Sequence, residues 1–326
     1  MTRVLSGIQP TGDLHLGNYL GALRNWVAHQ HEHDAYYCIV DLHALTFDHD
    51  AQRLPAKTLE AATALFAVGL DPEICTVFVQ SHLHEHAELS WLLECVATFG
   101  ELSRMTQFKE KSEGRESVSV GLFTYPVLQA ADILLYDADR VPVGDDQRQH
   151  LELTRDVAVR FNHRFGDTFV VPEASVPGIG ARVMDLQEPT MKMSKSRSSP
   201  QGLLSLLDAP GVIERKIKRA VTDTGADVVY DPEGRPGVSN LLEILGAATG
   251  RTPEQAAKGY TQYGPLKAET AEAVVELLRP VQARYRELEA DPGAVTALLA
   301  KGAGKARAVA RATLRRAKDA IGLLPA

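Results

Sequence analysis

Residues 6–18 read Ser6-Gly7-Ile8-Gln9-Pro10-Thr11-Gly12-Asp13-Leu14-His15-Leu16-Gly17-Asn18. This segment joins a short β-type run at 4–6 to an amphipathic helical pattern at 16–30. In an open parallel sheet, ligands collect where a strand ends and the next helix points its N-terminus at them. Gly17 would let a flat base or sugar approach the helix backbone, and His15 and Asn18 could donate to phosphate oxygens. The alternative is an ordinary strand-to-helix loop in which His15 only caps the helix.

Strands and helices alternate over the first two-thirds of the chain. The pattern predicts strands at 4–6, 35–40, 75–80 and 140–143, and helices at 16–30, 52–68, 86–98, 119–136 and 145–165. Such alternation implies parallel pairing through right-handed crossovers. We therefore predict a nucleotide-type α/β parallel sheet in a catalytic domain that covers residues 1–198.

The β signal fades after residue 199. Helical patterns cover 203–207, 212–221, 239–248, 252–260, 267–288 and 294–321, with Pro/Gly-containing breaks between them. We predict an all-helical C-terminal domain over 199–326, whose last helix could pack back on the catalytic domain. The run Gly302-Ala303-Gly304-Lys305-Ala306 lacks the first glycine and the final hydroxyl of a phosphate-binding P-loop. We interpret that run as a helix start.

Composition limits the class of protein. The 326 residues are 44% hydrophobic and 24% charged, which is ordinary for a globular protein, and the net charge of -7 argues against indiscriminate nucleic-acid binding. No apolar run approaches the length of a membrane span, and the N-terminal residues lead directly into predicted structure. We expect a cytoplasmic protein.

Cysteine and histidine patterns give no metal site. Three widely spaced cysteines among apolar neighbours predict buried thiols: Cys38, Cys75 and Cys95. Two sets of alternating histidines, His29/His31/His33 and His82/His84/His86, have no cysteine or carboxylate pair that would complete a ligand set. We place both histidine sets on solvated helix ends or loops, and predict no bound metal.

A second polar stretch, Lys192-Met193-Ser194-Lys195-Ser196, sets two lysines and two hydroxyls within five residues. Two ammonium groups with hydroxyl donors suit a polyphosphate. A solvated basic loop is the alternative.

The two polar stretches together resemble the signatures of class I aminoacyl-tRNA synthetases. His15-Leu16-Gly17-Asn18 is similar to the family's HIGH motif, and Lys192–Ser196 matches its KMSKS motif. Within the class the chain resembles the bacterial tryptophan branch over essentially its whole length, notably in Met105–Lys111, Ala130–Tyr136 and Val143–Gln147. The resemblance implies a Rossmann-like catalytic domain that makes tryptophanyl-adenylate from tryptophan and ATP and charges tRNA(Trp), and it implies a homodimer.

The resemblance also assigns ATP contacts. It places ATP on Gln9, Pro10, Thr11, Gly17 and Asn18, the ribose on Gly144, Asp145 and Asp146, and the adenine beside Val183. The KMSKS residues Lys192, Met193, Ser194, Lys195 and Ser196 would close over the nucleotide. Lys111, Lys192 and Lys195, with the Mg²⁺ that accompanies ATP, would stabilise the leaving pyrophosphate, and His15 and Asn18 would act beside them.

The amino-acid pocket can be read from one helix. Tyr125, Gln129 and Asp132 are spaced by four and three residues and so share a face amid apolar neighbours. One carboxylate in an apolar pocket suits a flat ligand with a single N–H, such as indole; a local backbone or arginine partner for Asp132 is the alternative. The resemblance makes Asp132 the indole-reading residue, with Tyr125, Gln129, Gln147 and His43 around tryptophan.

Other functions stay open on the sequence. A tyrosine-specific relative, a small adenylyltransferase and a non-catalytic paralogue are the rivals. The basic face formed by Arg307, Arg311, Arg315 and Lys318 could contact tRNA phosphates, lie in solvent, or dock on the catalytic domain.

Overall fold

The computed structural model describes residues 1–325 except 11–13, 48, 145–146, 176–181, 195–197, 224 and 226. The strands are β1 (Arg3–Ile8), β2 (Asp34–Ile39), β3 (Thr76–Val79), β4 (Arg140–Pro142) and β5 (Glu173–Ser175). The N-terminal helices are α1 (Leu16–Asn18), a π-helical turn at Tyr19–Leu23, α2 (Arg24–His29), α3 (Asp41–Ala44), α4 (Leu54–Ala67), α5 (Glu85–Glu94), α6 (Phe99–Ser103), α7 (Thr106–Ser112), α8 (Val120–Leu134) and α9 (Arg148–Phe165). The later helices are α10 (Pro210–Lys218), α11 (Pro236–Thr249), α12 (Pro253–Ala257), α13 (Tyr263–Glu289) and α14 (Pro292–Ala320).

The sheet is parallel throughout, in the order β3-β2-β1-β4-β5. β1 lies at its centre and pairs with β2 from Arg3↔Asp34 to Ile8↔Ile39. The residues that follow β1, β2 and β4 therefore meet at one edge, and this edge carries the site. The prediction of an α/β parallel sheet is confirmed. Sequence patterning missed β5 because Glu173-Ala174-Ser175 contains no apolar run.

Packing continues from the sheet into the helical C-terminal part. One hydrophobic cluster contains Leu16 and Met193 together with Leu241 of α11 and Leu278 of α13. A second cluster, on the other face of the sheet, joins Phe78 of β3 to helices α5, α8 and α9. The segments around both nucleotide motifs thus rest on the C-terminal helices, and the division at residue 198 stays a prediction.

Three predictions about local structure are wrong. Residues 203–207 do not form a helix: the Leu16 amide donates to the Leu204 carbonyl and the Leu206 amide donates to the Leu14 carbonyl, and residues 206–207 form a turn. The Gly302 run lies inside α14 rather than at a helix start. Cys95 is exposed at the end of α5, whereas Cys38 and Cys75 are buried as predicted.

Helix α14 packs on the outer strand of the sheet. A Cβ on Gly302 would lie only 1.8 Å from the Val77 carbonyl oxygen, so only glycine allows α14 to approach β3 this closely. Arg311 donates to Glu85 at 3.0 Å and Lys318 to Glu88 at 2.7 Å, both on α5, whereas the side chain of Arg315 is 81% exposed. Much of the basic face of α14 therefore meets the catalytic part of the molecule.

Among the helices described, none combines the length and apolar composition needed to cross a bilayer.

Candidate active site

A cavity of about 470 Å³ opens at the carboxyl edge of the sheet, between β1, β4 and α8. Its walls include many of the residues predicted for the site: Gln9, His43, Lys111, Tyr125, Gln129, Asp132, Gly144 and Gln147. The volume suits an amino acid with a large aromatic side chain. The structure thus brings together residues that are spread over more than a hundred positions of the chain.

Asp132 forms the buried end of this cavity. Its Oδ1 accepts hydrogen bonds from Gln80 Nε2 and His86 Nδ1, and its Oδ2 accepts one from His43 Nε2, all at 2.7 Å. The Asp132 side chain is only 4% exposed. These partners are neither the backbone groups nor the arginine that the alternative interpretation named.

The same contacts keep the Asp132 carboxyl ionised. Burial alone would raise the pKa of Asp132, but the hydrogen bonds from His43 and His86 outweigh burial and hold the pKa below its usual range. An ionised carboxylate is an acceptor with about four lone-pair sites. Three donors leave room for about one more on Oδ2, which can be supplied by a single ligand N–H.

His86 extends this network away from the cavity. Because its Nδ1 donates to Asp132, its Nε2 accepts from the Tyr136 hydroxyl at 2.8 Å. His86 and Tyr136 are both fully buried. Gln80 is anchored in the same way, since its Oε1 accepts from the Leu42 amide at 3.1 Å. The side chains that orient Asp132 are therefore themselves fixed by buried partners.

The prediction that His86 lies in solvent is wrong. Its neighbours His82 and His84 are exposed, but the turn into α5 directs His86 inward against Phe78 and Tyr136. Sequence reasoning missed Gln80 entirely. The alternating histidines at 82, 84 and 86 were the available signal, yet alternation alone does not tell which of them faces inward.

A second polar group, the Tyr125 hydroxyl, belongs to the same cavity wall. The Tyr125 hydroxyl is 2.9 Å from His150 Nε2 and 3.1 Å from Gln107 Oε1, and burial raises the pKa of Tyr125 to about 12. Lys111 Nζ also donates to Gln107 Oε1, at 2.9 Å, and lies 5.2 Å from the centre of the Tyr125 ring. This places one ammonium group directly beside the aromatic pocket.

Gln129 and Gln147 both line the cavity and lie next to each other. Gln129 Nε2 is 3.4 Å from Gln147 Oε1, which is a long hydrogen bond. Both amides therefore lie where a bound amino acid could contact them.

The HIGH-like residues form a reciprocal cap at the start of α1. His15 Nδ1 accepts from the Asn18 amide at 3.3 Å, and Asn18 Oδ1 accepts from the His15 amide at 3.1 Å. With Nδ1 as acceptor, the neutral His15 ring carries its proton on Nε2. The capping role named as an alternative is therefore present.

Lys192, Met193 and Ser194, the described part of the KMSKS-like segment, lie on one arm of a two-stranded turn. The Met193 amide donates to the Val183 carbonyl at 3.2 Å and the Asp185 amide to the Met191 carbonyl at 2.8 Å, so Met184 and Lys192 are opposite each other. Val183 and Met193 are buried, and Lys192 is exposed. The Ser194 hydroxyl is buried, and no hydrogen-bond partner for it lies among the described residues.

The two motifs meet. A Cβ built on Gly17 would lie 3.7 Å from the Met193 Cβ, an ordinary contact distance, so the two segments are neighbours; the tighter distance, 3.0 Å, is to His15 Nδ1 within the same motif. The structure thus places the start of α1 against the base of the KMSKS-like turn, which is where the sequence predicted ATP. Pro10 is buried nearby. Five residues predicted for the same site lie outside the described residues: Thr11, Asp145, Asp146, Lys195 and Ser196.

Within the described part of the chain, no group of three His, Cys, Asp or Glu side chains gathers closely enough to hold a metal ion.

Comparisons with known proteins agree with the interpretation that the site geometry supports. Residues 1–279 match the family described as tRNA synthetases class I (W and Y). Tryptophan–tRNA ligase 1 of Streptomyces coelicolor is 60% identical over 100% of this chain and 98% of that protein. The crystal structure of tryptophanyl-tRNA synthetase from Mycoplasma pneumoniae superposes with a TM-score of 0.90 at 37% identity, covering 99% of this chain and 98% of that one. The Campylobacter jejuni enzyme, solved with ADP and tryptophan, gives a TM-score of 0.84 at 35% identity, with 99% and 100% covered.

Proposed function

Because the chain belongs to the family of class I tRNA synthetases for tryptophan and tyrosine, we propose that it activates L-tryptophan with ATP and transfers it to the 3′ end of tRNA(Trp). The comparisons confirm the predicted tryptophan–tRNA ligase over the tyrosine-specific alternative. The single observation that carries the proposal within the molecule is the buried, ionised Asp132 at the end of the cavity.

We propose that Asp132 accepts the indole N–H of tryptophan. A hydrogen bond to a charged group contributes about 1.5–3 kcal/mol, and a ligand without the N–H would leave the buried carboxylate facing an apolar edge. Tyr125, Gln129, Gln147 and His43 would surround the rest of the amino acid. Their places on the cavity wall support this assignment.

In the proposed first step, the tryptophan carboxylate attacks the α-phosphorus of ATP, tryptophanyl-adenylate forms and pyrophosphate leaves. Such a displacement depends on positioning and on stabilising the charge of the leaving phosphates. Lys111 and Lys192, with Lys195 from outside the described residues, would supply that charge, and Mg²⁺ would enter with ATP as part of the substrate. The adjacency of the α1 start and the KMSKS-like turn supports this arrangement.

The remaining ATP contacts stay proposals carried by the family resemblance. The phosphates and base would lie along Gln9, Pro10, Thr11, Gly17 and Asn18 and beside Val183, and the ribose would lie on Gly144, Asp145 and Asp146. Gly144 and Gln9 line the same cavity as Asp132, which supports a nucleotide next to the amino acid.

In the proposed second step, a terminal ribose hydroxyl of tRNA attacks the acyl carbon and AMP leaves. We propose that residues 199–326 recognise the tRNA anticodon, in the cytoplasm. On the basic α14 face, Arg315 is 81% exposed and lies 3.8 Å from Asp319 of the same helix, whereas Arg311 is 65% exposed and pairs with Glu85 of α5. Charge reversal of Arg315 should flatten the salt dependence of tRNA binding by about one phosphate contact; an unchanged slope would remove this face from the interface.

We propose a homodimer formed through an apolar surface on α5, α6 and the start of α8. Trp91, Phe99 and Val120 are 65%, 76% and 75% exposed there, and large exposed apolar groups usually mark an interface. The paired variant Trp91→Glu/Phe99→Glu should sediment as a monomer. A wild-type monomer would contradict the proposal.

Amino-acid-dependent ATP–pyrophosphate exchange across the twenty amino acids tests the proposed function. Tryptophan should support exchange far above tyrosine, and Asp132→Ala should abolish that preference mainly through tryptophan affinity. Exchange with tyrosine alone would restore the tyrosine-specific alternative, and no exchange with any amino acid would indicate a non-catalytic paralogue.

A further inference from the structure

The KMSKS-like turn has an open edge that faces the C-terminal helices. Met184 and Lys192 are opposite each other, and the flanking hydrogen bonds from Met193 to Val183 and from Asp185 to Met191 make theirs a non-hydrogen-bonded pair. The amide and carbonyl of Met184 therefore point away from Lys192. Left without partners, these groups would resemble those of an unpaired edge strand.

Asn240 of α11 fills this edge. Its Oδ1 accepts from the Met184 amide at 2.8 Å, and its Nδ2 donates to the Met184 carbonyl at 3.0 Å. The carboxamide thus binds both backbone groups of one residue, much as a neighbouring strand would. Asn240 is only 3% exposed, so both hydrogen bonds are shielded from water.

The neighbours of Asn240 explain why this contact matters for the nucleotide. Met184 follows Val183, whose carbonyl binds the Met193 amide, and Met193 packs beside Gly17 at the start of α1. A shift at Met184 would therefore move Lys192 and Met193 relative to α1. The amino-acid end would not follow, because Asp132 is held by residues of α3, α5 and the segment after β3.

We propose that Asn240 is a positioning residue for ATP, which fixes the lysine-bearing turn to helix α11 and so ties the nucleotide site to the C-terminal helices. This inference rests on the proposed function for its ATP readout, but the structural contact it invokes does not. Asparagine suits this position because its short amide holds an N–H donor and a carbonyl acceptor in one plane, and each binds one backbone group of Met184.

The test uses the full-length enzyme and the variant Asn240→Leu, which is close in volume and removes both hydrogen bonds. In tryptophan-dependent exchange, the KM for ATP should rise roughly tenfold, as expected for two neutral hydrogen bonds, while the dissociation constant for tryptophan stays within about twofold. Equal changes for both substrates, or an unchanged ATP dependence in a folded variant, would overturn the proposal.

Thr270→Val is the matched control. Thr270 is fully buried in α13, and its hydroxyl donates only to the Leu266 carbonyl of the same helix, at 2.7 Å. This variant should lower stability without changing the ATP dependence. If it raises the KM for ATP as much as Asn240→Leu does, the effect is general destabilisation and the proposal fails.

Hydrogen–deuterium exchange separates this inference from the proposed function. In Asn240→Leu, amides in a peptide covering 183–194 should exchange faster than in the wild type, whereas a peptide covering α8 should not change. This result is expected even if the wild type proved inactive with tryptophan. If Asn240→Leu does not fold, Asn240→Ser should give the same pattern with a smaller shift, and unchanged exchange at 183–194 would contradict the positioning role.

Discussion

The two ends of the cleft differ in what holds their functional groups. At the amino-acid end, Asp132 is fixed by three side chains, and two of these are anchored in turn by Tyr136 and Leu42. At the nucleotide end, Lys192 stands on a turn that is held through backbone contacts. The difference suggests a rigid pocket for selecting the amino acid and a separately supported clamp for the phosphates. Mutations at the two ends should therefore affect different kinetic constants.

Lys192→Ala should have the largest effect. Removing one group that stabilises the leaving phosphates typically lowers kcat by about 10²–10³. Tryptophan affinity should be unchanged because Lys192 is not among the described residues that line the Asp132 cavity. Single-turnover formation of tryptophanyl-adenylate measures the rate, and equilibrium titration measures tryptophan binding. Lys301→Ala, which loses only a surface contact with Glu73, is the matched control. A normal rate in Lys192→Ala would refute the clamp.

His86→Ala should affect the KM for tryptophan, and its effect should be smaller than that of Lys192→Ala on the rate. Loss of the Nδ1–H donor should let Asp132 turn or take up a proton, which should raise the KM for tryptophan about tenfold and leave the KM for ATP unchanged. His86→Asn keeps a short donor near the same place and should recover part of the affinity. If both constants rise together, His86 supports the fold rather than the pocket.

Arg311→Ala and Arg315→Ala compare two arginines one helical turn apart on α14. Arg311 binds Glu85, whose side chain is fully buried, whereas Arg315 is 81% exposed. Because the Arg311 side chain is itself 65% exposed, its loss should cost only about 1 kcal/mol of the free energy of unfolding. Arg315→Ala should stay within about 0.5 kcal/mol of the wild type in urea unfolding. Equal losses would show that the pairing with Glu85 contributes nothing.

The sequence predicted the fold and one face of the amino-acid pocket, but not every residue of the pocket. Alternating strand and helix patterns predict a parallel sheet, and the spacing of Tyr125, Gln129 and Asp132 predicts one polar face on α8. The pattern did not reveal His86 and Gln80, because a buried histidine that orients a carboxylate looks like an exposed one in sequence. Only the three-dimensional turn into α5 separates His86 from its exposed neighbours His82 and His84.

At the nucleotide end, the sequence revealed the two motifs but not the residues that hold them in place. Asn240 lies in an apolar helical pattern and would be read as a tolerated polar residue, since its partner Met184 is 56 positions away. The predicted helix at 203–207 failed for the same reason: long-range pairing with residues 14–16 overrode its local preference. Contacts between distant backbone segments leave little trace in a single sequence.

The central claim is that Asp132 selects tryptophan through the indole N–H. The most direct test measures the dissociation constants of the wild-type enzyme for tryptophan and for 3-(3-benzothienyl)alanine, in which sulfur replaces the N–H while size and shape are nearly kept. The sulfur analogue should bind about 10–150-fold more weakly, the equivalent of one lost hydrogen bond to a charged group. Affinities equal within twofold would contradict it.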